Sequence, residues 1–543
     1  MRRIFFLLGL LVLLWAGWQQ FDDATPGESP GDADAPSVLH RGNGPEPETL
    51  DPQIARSDSS GALIRDLFEG LTRLSPDGKV IAGAASSWDV SADGKTYLFH
   101  LRPAARWSNG DPLTAADFVF SLRRLVDPET AAAFAFFLSP VVNASEIIGG
   151  DKAVEELGVS ALDEHTLEIR LKAPTPYLPG VLTHPANFAI HRASFERHGR
   201  EFTRPGNLVS NGAYKLSEAV IGSHYAIEKN PHYWGAENTA IEQVVYHQIP
   251  NQNAEFARYR AGDLDVTYTV PNNLFALAAE NYPDQLKVSP QLTTYYYGFN
   301  LRRAPFAGQR GLRRALSMVV DRKLLTKSIL TAGQTPAYGW VPPGVANYSA
   351  IEPDWAAWPM EQRLTEARRL YREAGYDESN PLKVEIRYNS ADIHRKIAVA
   401  IASIWNEALG VEASQLNEEF QVLLQDMRNG NADVFRSSWV ADYDDAFTFL
   451  EILHTTAAAN FVGYDNPVYD DLLEQAAATP DAVQRRTLLQ QAEAVMLADQ
   501  PLMPIYFYVN KRMVSRRVEG WENNSLNIHY SQDLSIAAPA QAD

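Results

Sequence analysis

The sequence predicts an α/β protein, and three observations carry that prediction. Residues 382–450 alternate as β-α-β-α-β, with strand-like periods at 383–388, 411–415 and 434–439 and helical periods at 393–409 and 418–427. This order implies a parallel sheet with helices packed on its faces. Two more amphipathic helices are predicted at 312–330 and 361–374, and a hairpin at 88–103. The 11 Trp, 23 Tyr and 23 Phe supply apolar surface for large cores, which excludes general disorder.

From the N-terminus, Arg2 and Arg3 precede an apolar run over residues 4–18, the pattern of an export segment. A small-x-small cleavage site is missing, because Leu14 stands before Ala16 and Trp15 before Gly17. Residues 1–21 therefore read as a signal peptide or an N-terminal membrane anchor with its arginines cytoplasmic, and either puts the body outside the cytoplasm. Residues 22–37, rich in Pro, Gly, Asp and Ala, read as a flexible tether. Gly27, Ser29 and Gly31 match G-x-S-x-G formally, but a nucleophile elbow needs a strand before it and a helix after it.

In the body, the hairpin turns at Ala92-Asp93-Gly94-Lys95. Thr114 and Asp117 resemble a capping box ahead of the apolar face Phe118, Leu122 and Leu125. The helix over 312–330 places Leu312, Leu316, Val319, Val320 and Leu324 on one side. The helix over 361–374 stops at Gly375.

Composition removes several functions. The net charge of −19 and the lack of any long basic run argue against nucleic-acid binding. Zero cysteine excludes disulfides, Cys-ligated metals and thiol nucleophiles. The 12 histidines form no H-E-x-x-H or H-x-H pattern, and no phosphate-cradling G-x-x-x-x-G-K-[ST] occurs, so neither metal nor cofactor is expected.

In α/β sheets, ligands bind beyond the carboxyl ends of the strands. His394 follows the first strand of the 382–450 unit, Asp442 follows the third, and Arg436 lies within the third. A peptide zwitterion needs a carboxylate for its ammonium and a cation for its carboxylate, and Asp442 and Arg436 offer both. Bland alternatives stand beside this. Asp442 can cap a helix over 444–453, Arg436 can pair with a nearby acid, and His394 can simply be packed. Asp444 and Asp445 read as solvated acids or helix-start dipole partners rather than glycosidase carboxylates.

Ordered motifs across the body then point to a family. They include Leu50-Asp51-Pro52, Arg65-Asp66-Leu67-Phe68-Glu69-Gly70-Leu71, Trp107-Ser108-Asn109-Gly110 and Asn211-Gly212-Ala213-Tyr214. Thr294-Tyr295-Tyr296-Tyr297, Trp439-Val440-Ala441-Asp442-Tyr443 and Pro504-Ile505-Tyr506-Phe507-Tyr508-Val509-Asn510 follow. From Val38 to Ile536 the chain resembles the oligopeptide-binding proteins of bacterial ABC importers, the family 5 extracytoplasmic solute-binding proteins, in their peptide and murein-peptide branch.

The resemblance implies a two-lobe periplasmic-binding-protein (Venus-flytrap) fold with an extra inserted subdomain. Lobe I would comprise 38–68, 193–292 and 510–543, the inserted subdomain 69–192, and lobe II 293–509. It implies no enzyme activity, short peptides as ligands, an inner-membrane ABC permease as partner, a monomer, and a periplasmic location, tethered if residues 1–21 stay uncleaved. A receptor for murein peptides or another non-protein solute is the alternative. Asp442 matches the acceptor of the peptide ammonium. Arg436 and His394 match positions receiving the carboxylate. Tyr296, Tyr297 and Trp439 fall among cleft-lining positions. Two departures stand out: a lysine of close relatives aligns with Leu330, and a bridging cysteine pair aligns with Thr293 and Val440.

Overall fold

A computed structural model describes residues 37–537; the expected leader at 1–21 and all but the last residue of the tether lie outside the described residues. In the first lobe, β1 (Val38–Gly42) leads into α1 (Asp58–Leu67), which is N-capped by the Ser57 side chain accepting from the Ser60 N–H. The predicted hairpin is present as β2 (Ala85–Val90) and β3 (Thr96–Leu101), with Trp88 opposite Phe99. In α2 (Ala115–Val126), the Asp117 carboxylate accepts the Thr114 N–H at 2.8 Å, and Phe118, Leu122 and Leu125 are buried as predicted. Strands β4 (Val159–Ala161) and β5 (Thr166–Arg170) complete a sheet ordered β2-β3-β5-β4.

A second sheet of this lobe contains β1 with β6 (Tyr214–Val220), β7 (His224–Lys229) and β8 (Gln243–His247), in the order β1-β8-β7-β6. One continuous core, including Leu39, Leu63, Phe99, Phe118 and Val244, runs through both sheets. The segment 69–192 therefore has its own sheet but shares its interior with its neighbours.

The connection to the second lobe is made by two long strands. Strand β9 (Leu286–Phe299) pairs antiparallel with a late strand, Leu502–Met513, in two blocks. Leu286–Pro290 lies against 509–513 beside Phe256, Tyr259 and Leu264. After a break in register between Pro290 and Thr294, the second block enters the other lobe's sheet.

The second lobe departs from prediction at its first helix. The expected single helix over 312–330 is broken into α3 (Arg310–Met318) and α4 (Arg322–Leu325), followed by one wide turn over Thr326–Leu330. The cause is Asp321, whose carboxylate caps the Leu324 N–H at 3.0 Å. The interruption rotates Leu324 outward, and it is 54% exposed. A short strand, β10 (Thr335–Pro336), precedes α5 (Met360–Glu373), which ends at Gly375 with φ +89°, as predicted.

The β-α-β-α-β unit appears as β11 (Lys383–Asn389), α6 (Asp392–Leu409), β12 (Glu412–Glu418), α7 (Phe420–Asn429) and β13 (Val434–Val440). Strand β11 is parallel to both β12 and β13. The whole sheet is mixed, because β9 and β14 (Leu502–Met513) join antiparallel, giving the order β10-β14-β9-β13-β11-β12. None of the described helices is long and apolar enough to cross a membrane.

Candidate functional site

Arg436 projects from β13 into the lobe interior and is 7% exposed. Its Nη1 donates to Asn389 Oδ1 at the end of β11 (2.9 Å), and its Nη2 donates to the Tyr508 hydroxyl on β14 (3.1 Å). The guanidinium lies 4.5 Å from the centre of the Tyr295 ring, and its buried Nε has no partner. Among the described residues no carboxylate approaches within ion-pair distance. Burial opposes the charge, but the oxygens of Tyr295, Tyr508 and Tyr506 outweigh it and hold the group above its usual value. The expected bland alternative, an ion pair with a neighbouring acid, is thus not what the fold provides.

His394, in the first turn of α6, stands beside this cation, its Nδ1 3.3 Å from the Tyr295 hydroxyl. Burial, together with the Arg436 charge, pushes its imidazole down to about 3. It is therefore neutral near pH 7 and meets a carboxylate only as a hydrogen-bond donor.

Asp442 follows the end of β13. Its contacts are with Thr448, both from the hydroxyl to Oδ2 and through its own N–H, each at 3.4 Å. Bonds of that length are weak. Burial raises the carboxyl to about 6. The group lines a cleft of about 730 Å3 between the lobes, whose wall also includes Tyr268, Leu330, Tyr506, Tyr508 and Leu526. The anticipated helix beyond it is reduced to Phe447–Leu450 and one tighter turn.

Of the two readings for the neighbouring acids, solvated groups or helix-start partners, the second fits Asp445, whose Oδ1 accepts the Phe447 N–H at 2.8 Å where the short helix begins. Asp445 forms a two-pronged ion pair with Arg485 at 2.6 and 2.9 Å, while Asp444 accepts the Ala346 N–H at 2.8 Å. Between them and the opposite lobe, Tyr177 stacks on Tyr443 at 4.8 Å with planes 6° apart. It also stacks on Phe447 at 5.6 Å.

Of the predicted site residues only Asp442 borders the cleft itself; Arg436, His394 and Trp439 lie behind its wall, next to the bordering Ile393, Val440 and Tyr508, and Tyr296 and Tyr297 are deeper still. Strand β9 is central and covered on both faces, so Tyr296 packs edge-on to Trp340 in one core while Tyr297, fully buried, packs in the other. Trp439 is half-buried at the margin of the first of these cores, with its indole N–H unpaired. What sequence reasoning missed is the platform beneath the cation, Tyr295, Tyr508 and Asn389. The alternation of Tyr295 with Tyr296 was the available signal, since only one of the two can face Arg436.

Thr293 and Val440 are direct cross-strand partners of β9 and β13. The Thr293 hydroxyl is buried and unpaired. The described residues contain no group of three or more His, Asp or Glu side chains arranged to hold a metal.

Two lobes joined by long strands around a cleft, with an acid and a cation that lack charge partners among the described residues, are the arrangement of a solute-binding protein. The comparisons agree. Residues 79–461 match the profile of bacterial extracellular solute-binding proteins, family 5 (middle region), and the chain belongs to that family. It is 37% identical over 503 residues to the periplasmic oligopeptide-binding protein OppA of Escherichia coli K12, covering 92% of each chain. Its fold matches the murein tripeptide-binding protein MppA in its unliganded open form, with TM-score 0.83, 38% identity, and coverage of 92% and 97%. It also matches Haemophilus influenzae OppA in complex with RPPGFSPFR, with TM-score 0.77, 37% identity, and coverage of 93% and 100%.

Proposed function

We propose that this protein is an extracytoplasmic receptor that encloses short peptides between its lobes and hands them to an ABC permease. The observation that supports this most is the pair of uncompensated opposite charges. Asp442 would accept the peptide ammonium, and Arg436, with His394 donating, would hold the carboxylate. Trp439 would border the bound backbone, which pairs with extended protein segments as an added strand. The lobes would divide as 38–68, 193–292 and 510–543 against 293–509, with 69–192 inserted, and the protein would act as a monomer. Residues 1–21 would direct export to the periplasm, as a cleaved signal or as a retained tether.

Calorimetry of the purified protein with tri- and tetrapeptides tests the reading. Micromolar or tighter binding is expected, with a large loss in Asp442→Ala. Equal binding by that variant refutes the site. Murein tripeptide as competitor separates the two ligand classes, and an intact-mass measurement reports whether the leader is retained.

A further inference from the structure

The cleft has a charge that the rest of the molecule does not share. Its wall carries five cations, Arg41, Arg56, Arg65, Lys511 and Arg512, against two carboxylates, Asp58 and Asp442, in a chain of net charge −19. Outside the cleft, Arg124 pairs with Asp51, Arg485 with Asp445 and Arg73 with Asp533, while the buried Arg313 and Arg322 donate to backbone carbonyls instead. Among the described residues none of the five cleft cations has a carboxylate within ion-pair distance.

Lys511 is the clearest case. It sits on the block of β14 that pairs with Leu286–Pro290, and it is 8% exposed. Its ammonium donates to Asn272 Oδ1 and lies 6.0 Å from the Phe275 ring centre. No carboxylate among the described residues comes within ion-pair distance. An ammonium has three donors, so two remain for a ligand. Burial lowers the group to about 8, the mark of a cation held without a counter-charge. Arg65, on α1, adds a second gap, with a buried Nε that has no partner. Arg512 donates to Asn527 Oδ1 and the Thr267 carbonyl, and no carboxylate among the described residues is in ion-pair contact with it.

Arg436 already provides for one carboxylate. Lys511 is three residues along β14 from Tyr508, the hydroxyl partner of Arg436, or about 10 Å at strand rise. Side chains alternate across a strand, so Lys511 and Tyr508 leave β14 on opposite faces, yet both border the cleft. A carboxylate received at Lys511 is therefore held at a separate place from one received at Arg436.

We propose that the cleft selects peptides bearing a second carboxylate, that of an acidic residue, and that Lys511 receives it while Arg436 and Asp442 hold the two termini. The inference rests on the peptide-receptor reading above. The shared chemistry is an extra carboxylate, and two sources supply it: an ordinary α-linked Glu or Asp side chain, or the free α-carboxylate of a γ-linked glutamyl residue as in murein peptides.

The test is calorimetry of the full chain with tri- and tetra-alanine peptides carrying Glu or Gln at each position in turn, alongside a γ-glutamyl series. At one position the acidic peptide is expected to bind about tenfold tighter or more than its amide, the worth of one charged hydrogen bond. In Lys511→Met that preference is expected to shrink below about threefold with the Gln peptide unaffected, while Lys511→Arg retains it. Thermal melts establish that each variant is folded. Which series shows the preference identifies the source. Equal binding of Glu and Gln peptides at every position, or a preference that survives in Lys511→Met, overturns this inference alone. Failure of every peptide to bind overturns the receptor reading and this inference with it.

Discussion

Peptide affinity is expected to fall as the pH is lowered from 7.5 to 5.0, and the size of the fall follows from Asp442. Burial raises its carboxyl to about 6 in the ligand-free protein. A bound ammonium stabilises the charged form, so the complex carries the carboxylate deprotonated and binding must first remove its proton. At pH 5.0 only about a tenth of the molecules have the competent carboxylate, against nearly all at pH 7.5. The peptide amine, with an ordinary value near 7.8, works in the other direction, being about two-thirds protonated at pH 7.5 and fully protonated at pH 5.0. The net loss is about sevenfold, or just over 1 kcal/mol.

Calorimetry in two buffers of different ionisation enthalpy reads both the affinity and the proton release. Near pH 6 about half a proton should leave per peptide bound. Asp444, also raised to about 6, and Glu451, raised to about 7, lie close by, so Asp442→Asn is the control. That variant should bind weakly and lose most of the pH dependence. An affinity that is flat or rises on acidification, or a slope unchanged in Asp442→Asn, refutes the assignment of the ammonium site.

Replacing Arg436 with Gln should weaken peptides with a free C-terminus by about 10- to 100-fold, yet leave C-terminally amidated peptides nearly unaffected. Calorimetry on the four combinations measures the coupling directly. The Thr293→Cys/Val440→Cys protein should close a disulfide in air-saturated buffer, with dissolved oxygen as the oxidant, because the two positions face each other across β9 and β13. A thiol titration should find no free sulfur, and the melting temperature should rise, with the gain in stability limited by chain entropy to about 5 kcal/mol. Tyr177→Ala removes the stack on Tyr443 and Phe447 and should raise the peptide off-rate about two- to tenfold with the on-rate little changed, as stopped-flow would show.

How much of this was legible in the sequence depended on range. The 383–440 unit, the hairpin and the helix ending at Gly375 rest on local periodicity and caps, and all three are in the structure. The antiparallel pairing of Leu286–Phe299 with Leu502–Met513 is set by residues more than two hundred positions apart, and no local pattern announces it. The mixed character of the sheet was hidden for the same reason. At 312–330 the apolar period was real, but a capping aspartate at 321 outweighed it. Asp442 and Arg436 could be named because chemistry and family pattern coincided there. Their lack of charge partners could not, since pairing is a property of everything that packs around a group. Tyr296 and Tyr297 show the complementary failure, where a motif places residues near a site without saying which way they point.

The loop after β13 has one more consequence. Asp442, the residue that meets the ammonium in the proposed complex, is joined by a single peptide bond to Tyr443, the residue on which Tyr177 of the facing lobe rests. Arg485 ties the same loop down through Asp445 and lies 5.5 Å from the Tyr177 ring. In the proposed complex, then, the group that meets the ligand and the ring that meets the facing lobe are neighbours on one short, anchored loop, so capture of the ammonium and closure of the lobes draw on the same few residues.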